Sequence, residues 1–349
     1  MKRLCIVRDS IYLEHKTQAF HPESHHRLEA LYDLLDETDM RERYRLLKPR
    51  KATRKEIEYI HSPAYYDRVE ATSHLGQTYL DPDTVTSPRS FEAALYAAGG
   101  VLAGIDSLFS SSADSVFALV RPPGHHAERD HGMGFCLFNN IAIGAAYAIE
   151  QHTIERVLIV DWDLHHGNGT QHSFYTDPRV LYFSTHQYPY YPGSGAVNEI
   201  GHGDGEGFTV NVPLTAGKGD EEYIRIFNKI LVPIAHQYNP QLVLVSAGFD
   251  TYAGDPLGGM MLSPSGFGTL TELVAAIALR YAGGKLLLSL EGGYDLRGLR
   301  ECVKGVINTL VDGAESTILD PDRDREGSGA LDEYIEQVLA VQRKFWRCF

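Results

Sequence analysis

Short runs of β-favouring apolar residues, each ending in a loop that carries a carboxylate, constrain this chain more than any other feature. Residues 157–160 (Val-Leu-Ile-Val) lead straight into Asp161-Trp162-Asp163-Leu164-His165-His166-Gly167-Asn168, and residues 242–245 (Leu-Val-Leu-Val) lead into Ala247-Gly248-Phe249-Asp250. Runs this short and this apolar suit strands buried on both faces, and open sheets of that kind place ligand sites just beyond the carboxyl ends of their strands. Further runs at 4–7, 116–120, 180–183 and 286–290 alternate with helical patterns at 91–108, 141–150, 221–236 and 265–281. The expected architecture is α/β, a three-layer αβα arrangement with a central, mostly parallel sheet.

The chemistry at those strand ends reads as a metal site. Asp163 and His165, at i and i+2, lie on one side of an extended segment, so a carboxylate oxygen and an imidazole nitrogen can converge on one cation. Asp250 is the natural third ligand, because a parallel sheet sets the two strand ends side by side. Three protein ligands with an open fourth position is the pattern of catalytic zinc, whereas structural sites are closed and usually rich in cysteine. Taken singly, the aspartates could cap helices and the histidine could belong to the core; as a set at strand ends they point to function. A polarised water also needs a group to take its proton and return one to the leaving group. His125 and His126 supply that, held in the rigid turn Arg121-Pro122-Pro123-Gly124, while Asp161 and Asn168 can each accept an imidazole N–H.

Composition frames this site. With 349 residues, 43% of them hydrophobic, and no linker rich in Pro, Gly or Ser, the expectation is one domain over 1–349, closing with a helix at about 331–345 after a charged tract at 320–325. Residues 201–207 (Gly-His-Gly-Asp-Gly-Glu-Gly) read as a flexible surface turn, lacking the strand-to-helix setting of a phosphate loop. No run of about 18 apolar residues suggests a membrane span, and the amino terminus is too soon polar for a secretory signal. Cys5, Cys136, Cys302 and Cys348 lack disulfide or metal spacing and suit a reducing cytoplasm. A net charge of -14 argues against a nucleic-acid partner and mildly favours cationic substrates, although acidity that simply aids solubility accounts for it equally well.

The motifs together resemble the histone deacetylase superfamily, the zinc-dependent deacetylases of the arginase/deacetylase fold, and most of all its class II and bacterial acetylpolyamine-amidohydrolase-like branch. The resemblance runs through His21-Pro22-Glu23, residues 121–126, 132–140, 161–169, Pro192-Gly193-Ser194-Gly195, Asn211-Val212-Pro213, residues 247–259 and Glu291-Gly292-Gly293-Tyr294, in order along nearly the whole chain. It implies removal of an acetyl or short acyl group from a lysine side chain or a small amine. Asp163, His165 and Asp250 would hold one Zn2+, with Fe2+ an alternative in the cell; His126 would be the base, His125 with Asp161 an electrostatic partner, and Tyr294 a donor to the oxyanion. Phe135 beside Gly134, and Tyr191, would flank a narrow tunnel, with Asp83 and Leu257 at its rim. Leu257 stands where the eukaryotic polyamine deacetylase has a glutamate, which weakens a polyamine reading. Structural K+ would sit near Asp161, Asp163, His165, Ser184 and Thr185, with a second site near Phe174, Asp177, Val180 and Phe208. Relatives in the polyamine branch dimerise, which leaves a homo-oligomer open here.

The departures matter as well. Gly167 and Tyr252 occupy the positions where arginases carry the aspartates of a second metal, so the resemblance implies one metal. Asn168 replaces a class I aspartate, and a neutral amide stabilises imidazolium less than a carboxylate, so His126 is expected to be less basic than His125. A non-catalytic acyl-lysine binder would have lost His126, Tyr294 or a metal ligand, and all are present.

Overall fold

The computed structural model describes residues 3–313 and 329–349, so the charged tract at 320–325 lies outside the described residues. Its strands are β1 (Leu4–Val7), β2 (Arg45–Leu47), β3 (Thr78–Tyr79), β4 (Val85–Thr86), β5 (Ser115–Ala118), β6 (Val157–Asp161), β7 (Val180–Gln187), β8 (Thr209–Leu214), β9 (Leu242–Ala247) and β10 (Leu286–Leu290). Eight of them form one sheet in the order β2-β1-β5-β10-β9-β6-β7-β8, every pairing parallel, and β3 and β4 form a small antiparallel hairpin apart from it. β5, β10, β9 and β6 are buried at every residue, which is why each reads as an unbroken apolar run rather than an alternation.

The two edges carry weaker sequence signals. β2 is largely exposed, and β8 contains Pro213, which an edge tolerates because no neighbour there needs its missing N–H.

The main flanking helices are α1 (His26–Leu35), α2 (Ser90–Phe109), α3 (Asn140–His152), α4 (Asn168–Ser173), α5 (Asp220–Ile226), α6 (Val232–Tyr238), α7 (Pro264–Tyr281), α8 (Leu296–Asp312) and α9 (Gly329–Gln342). Among the described residues α2 alone is long and apolar enough to cross a membrane, but it is mostly buried within the fold. Its Gly104 has no room for a side chain, since a Cβ there would press on Leu287 of β10. The helix expected at 221–236 is split by a π turn, Phe227–Leu231, because Pro233 has no N–H to return to the residue 229 carbonyl and the spiral widens ahead of it. The last helix ends at Gln342 rather than about 345. Beyond it the Trp346 indole donates to the Gly207 carbonyl at 3.1 Å, so the glycine-rich segment 201–207 is tied down rather than free. Gly207, at φ +91°, could not carry a Cβ without striking Phe345.

Candidate active site

All eight strands point the same way, so the loops after the four central ones emerge together. Register aligns them: Asp161 of β6 pairs with Ser246 of β9, and Ala247 of β9 with Leu290 of β10. β6 therefore delivers Asp161, Asp163 and His165, β9 delivers Asp250, β10 delivers Tyr294, and the segment after β5 brings His125 and His126.

Asp163, His165 and Asp250 converge, with one ligand atom from each lying within 4.8 Å of the others. His165 Nδ1 is 3.2 Å from Asp163 Oδ1 and 3.1 Å from Asp250 Oδ2. The remaining carboxylate oxygens accept backbone N–H groups, Asp163 Oδ2 from Gly292 at 2.8 Å and Asp250 Oδ1 from Leu164 at 2.9 Å. Two fully buried carboxylates this close repel. Burial and the Asp163 charge push Asp250 up to about 7, whereas for Asp163 burial is outweighed by the positive fields of His125 and His165, which hold it well below the usual carboxylate range. Burial opposes protonation of His165, but its bonds to Asp163 and Asp250 prevail and lift the ring to about 9. Such a donor set suits a divalent cation, whose charge would relieve the repulsion that now raises Asp250. Where a second ligand would be needed for two metals, a Cβ at Gly167 would already meet Asp161 and the Tyr182 hydroxyl. Among the described residues one other group converges, His25, His26 and Glu29 on the first turn of α1, but it faces solvent and His26 Nδ1 is bonded to Glu29 at 2.7 Å.

The two histidines sit side by side, ring centroids 4.0 Å apart, with different partners. His125 Nδ1 lies 3.1 Å from Asp161 Oδ2, which also accepts the Tyr182 hydroxyl at 3.0 Å. His126 Nδ1 lies 2.7 Å from Asn168 Oδ1. For His125 burial is outweighed by the charges of Asp163 and Asp161, which raise it to about 10; for His126 burial together with the positive fields of His125 and His165 lowers it well below the ordinary value. Of the pair, His126 is thus the one that stays neutral and able to accept a proton.

Above this cluster opens a pocket of about 240 Å3 lined by Asp83, Pro123, His125, His126, Gly134, Phe135, Cys136, His165, Tyr190, Tyr191, Leu257, Gly292 and Tyr294. A larger cavity, about 290 Å3, lies at the opposite end of the sheet among Leu108, Ser115, Lys285 and Leu310, far from these titratable groups. The Tyr191 ring stands edge-on to His126 at 5.2 Å, and Phe135 edge-on to Tyr294 at 5.9 Å. Gly134 must be small and left-handed, φ +55°, because a Cβ would collide with the His126 ring.

The family model described as histone deacetylase domain matches residues 21–310. The chain belongs to the histone deacetylase family. A probable deacetylase of Archaeoglobus fulgidus is 38% identical to it over 356 residues, covering 99% of each chain. The crystal structure of the HDA15 HD domain superposes with a TM-score of 0.91 at 37% identity, covering 99% of this chain and 96% of that one. The histone deacetylase fold thus extends over the chain.

Several further residues shape the site by holding its loops. Glu291 accepts the N–H groups of Gly124 and His125, at 2.7 and 3.2 Å, and fixes the histidine loop; burial pushes its carboxyl up to about 7. Arg27, fully buried, donates to the carbonyls of Gly293 and Glu291 at 2.6 Å each and lies over the Tyr294 ring at 5.0 Å. Asp255 accepts the N–H groups of Leu257, Tyr294 and Asp295 and so joins the Asp250 loop to the Tyr294 loop. Tyr190 stacks on His165 at 5.7 Å and donates to the Leu257 carbonyl at 2.9 Å across the mouth. Only its place in the aromatic run 188–192 hints at that.

The positions expected around monovalent cations fall in two groups. Ser184 and Thr185 lie on β7 beside Asp161; the Ser184 hydroxyl is 2.9 Å from His186 Nδ1, and the buried Thr185 hydroxyl has no hydrogen-bond partner among the described residues. Phe174, Asp177 and Val180 share the turn between α4 and β7, with Phe208 adjacent through its carbonyl to Tyr182 N–H. Asp177 directs its carboxylate to Arg179 instead.

Proposed function

We propose that the protein is a zinc-dependent amidohydrolase that removes an acetyl or short acyl group from a lysine side chain or a small amine. The observation that carries this reading is the convergence of Asp163, His165 and Asp250 beneath a pocket walled by aromatic rings and flanked by two histidines, one bonded to a carboxylate and the other to an amide. Those three side chains would hold the ion, which when bound polarises a water and the substrate carbonyl. Fe2+ shares the donor preference and is the alternative ion. His126, with Nδ1–H held by Asn168, presents Nε2 to take a proton from water and return it to the departing amine. His125 stays cationic against Asp161, while Tyr294, its hydroxyl kept protonated by burial, donates to the oxyanion. Phe135 and Tyr191 would flank an unbranched chain, and Asp83, which lines the same pocket, would receive an N–H from the rest of the substrate. Apolar Leu257 at the rim favours an acetyl-lysine peptide over an acetylpolyamine, which would bring a second cation there. The β7 segment at Ser184 and Thr185 and the turn around Phe174 are assigned to structural K+.

Metal analysis followed by turnover of acetyl-lysine peptides and acetylpolyamines tests this. One ion per chain and hydrolysis that disappears on chelation are expected, with Tyr294→Phe lowering kcat about 10²–10³-fold. Hydrolysis that survives complete removal of divalent ions would refute the reading.

A further inference from the structure

Glu128 has no part in the account so far. It follows His125-His126-Ala127, and its side chain, only 14% exposed, packs against Asn168 at the start of α4. Asn168 lies between two neighbours. On one side its Oδ1 is 2.7 Å from His126 Nδ1. On the other its Nδ2 is 2.6 Å from Glu128 Oε1, 3.3 Å from Met133 Sδ and 3.4 Å from the His126 carbonyl.

Every group around that nitrogen is an acceptor. Turning the amide over would press its oxygen against a carboxylate and offer an NH2 to His126 Nδ1, so the carboxylate decides which end of the amide meets the ring. An oxygen at Nδ1 requires the imidazole hydrogen to be there, which leaves the Nε2 lone pair toward the pocket. A carboxylate at position 168 would need no such help, because both its ends accept. A neutral amide has two unlike ends, and something must choose between them.

We infer that Glu128 is a positioning residue for the base, fixing the Asn168 amide so that His126 is held with its hydrogen on Nδ1. This rests on the reading of His126 as the base. His172, half exposed on α4, donates to the same Glu128 oxygen at 2.8 Å; although burial opposes ionisation of Glu128, this bond helps to keep it charged. The relay thus runs from solvent to the pocket through His172, Glu128, Asn168 and His126.

The test replaces the acceptor by degrees in the zinc-loaded enzyme. Glu128→Gln keeps an oxygen but loses the charge, and a two- to tenfold fall in kcat is expected. Glu128→Lys places a donor against the amide and reverses it; a base in the wrong tautomer loses about 10²–10⁴ in kcat. KM and zinc stoichiometry should stay within twofold of wild type, and 15N shifts of the His126 imidazole should move from the Nδ1–H to the Nε2–H pattern. Adding Asn168→Asp to Glu128→Lys should restore kcat to within about tenfold of wild type, since an aspartate has no wrong end and pairs with the lysine. The inference is overturned if Glu128→Lys keeps kcat within threefold of wild type, or if the double variant is as impaired as Glu128→Lys alone. Should His126→Gln remain active, the assignment of the base itself fails and the inference falls with it; an inactive His126→Gln beside a fully active Glu128→Lys removes the inference alone.

Discussion

If Asp163, His165 and Asp250 hold a divalent ion as proposed, loading it must expel protons, and their number follows from the site. In the metal-free protein Asp250 is pushed up to about 7 by burial and by Asp163, and His165 is lifted to about 9 by the two carboxylates against the effect of burial. A divalent cation needs both as bare donors, so at pH 7 binding releases one proton from His165 and half a proton from Asp250, about 1.5 in all. The sign is fixed, because both groups hold protons only in the metal-free state and affinity must rise with pH. Proton competition weakens binding at pH 7 about 200-fold relative to a fully deprotonated site, roughly 100-fold at His165 and twofold at Asp250, or about 3 kcal/mol. Going down to pH 6 removes about a further 50-fold, and going up to pH 8 restores about 15-fold. Titration calorimetry of Zn2+ into chelator-stripped protein, in buffers of differing ionisation enthalpy, reads the proton count directly. Release of less than about half a proton, or an affinity flat between pH 6 and 8, would show that Asp250 and His165 do not carry these protons in the metal-free protein and would refute the reasoning.

Two further outcomes follow from the buried clamps. Arg27→Met strips the donor from the Gly293 and Glu291 carbonyls and leaves Glu23, also buried, with one guanidinium fewer; chemical denaturation should show a loss of about 3–5 kcal/mol, and a loss below about 1 kcal/mol would mean the clamp carries little. Asp255→Ala frees the backbone N–H groups of Tyr294 and Asp295, so steady-state kinetics should give kcat about 10–100-fold lower with metal content and KM little changed; an unaltered kcat would show that the tyrosine loop holds its place without that carboxylate.

What the sequence discloses follows from what buries each segment. β5, β6, β9 and β10 are legible because a strand covered on both faces has to be apolar throughout, and the loops beyond them stand out by contrast. β2 and β8 are not, since an edge strand is relieved of that demand and can carry Arg45, Asn211 or Pro213. α8 does carry a helical stripe, Leu299, Cys302, Val303, Val306 and Leu310, behind the cap residue Asp295; it goes unread because charged residues on its outer face dilute the run. For the site, the side chains that the structure gathers round one pocket are the ones attached to strand ends. Of the residues that orient them, Asp255 and Glu291 fall within motifs beyond β9 and β10, but Arg27 and Glu128 look like ordinary surface charges in the sequence, because nothing local tells a buried charge from a solvated one.

The order in which strands enter the sheet has a consequence for synthesis. β10 comes late in the chain yet lies between β5 and β9, so until residues 286–290 leave the ribosome the sheet exists only as two slabs with facing open edges. β6 and β9, already neighbours, complete the set Asp163, His165 and Asp250 inside one slab, whereas Tyr294 arrives only with the strand that welds the halves. If that set holds an ion as proposed, a nascent chain could take it up before Tyr294 joins the site, and the ion would then brace the half-built sheet against pairing with the wrong edge.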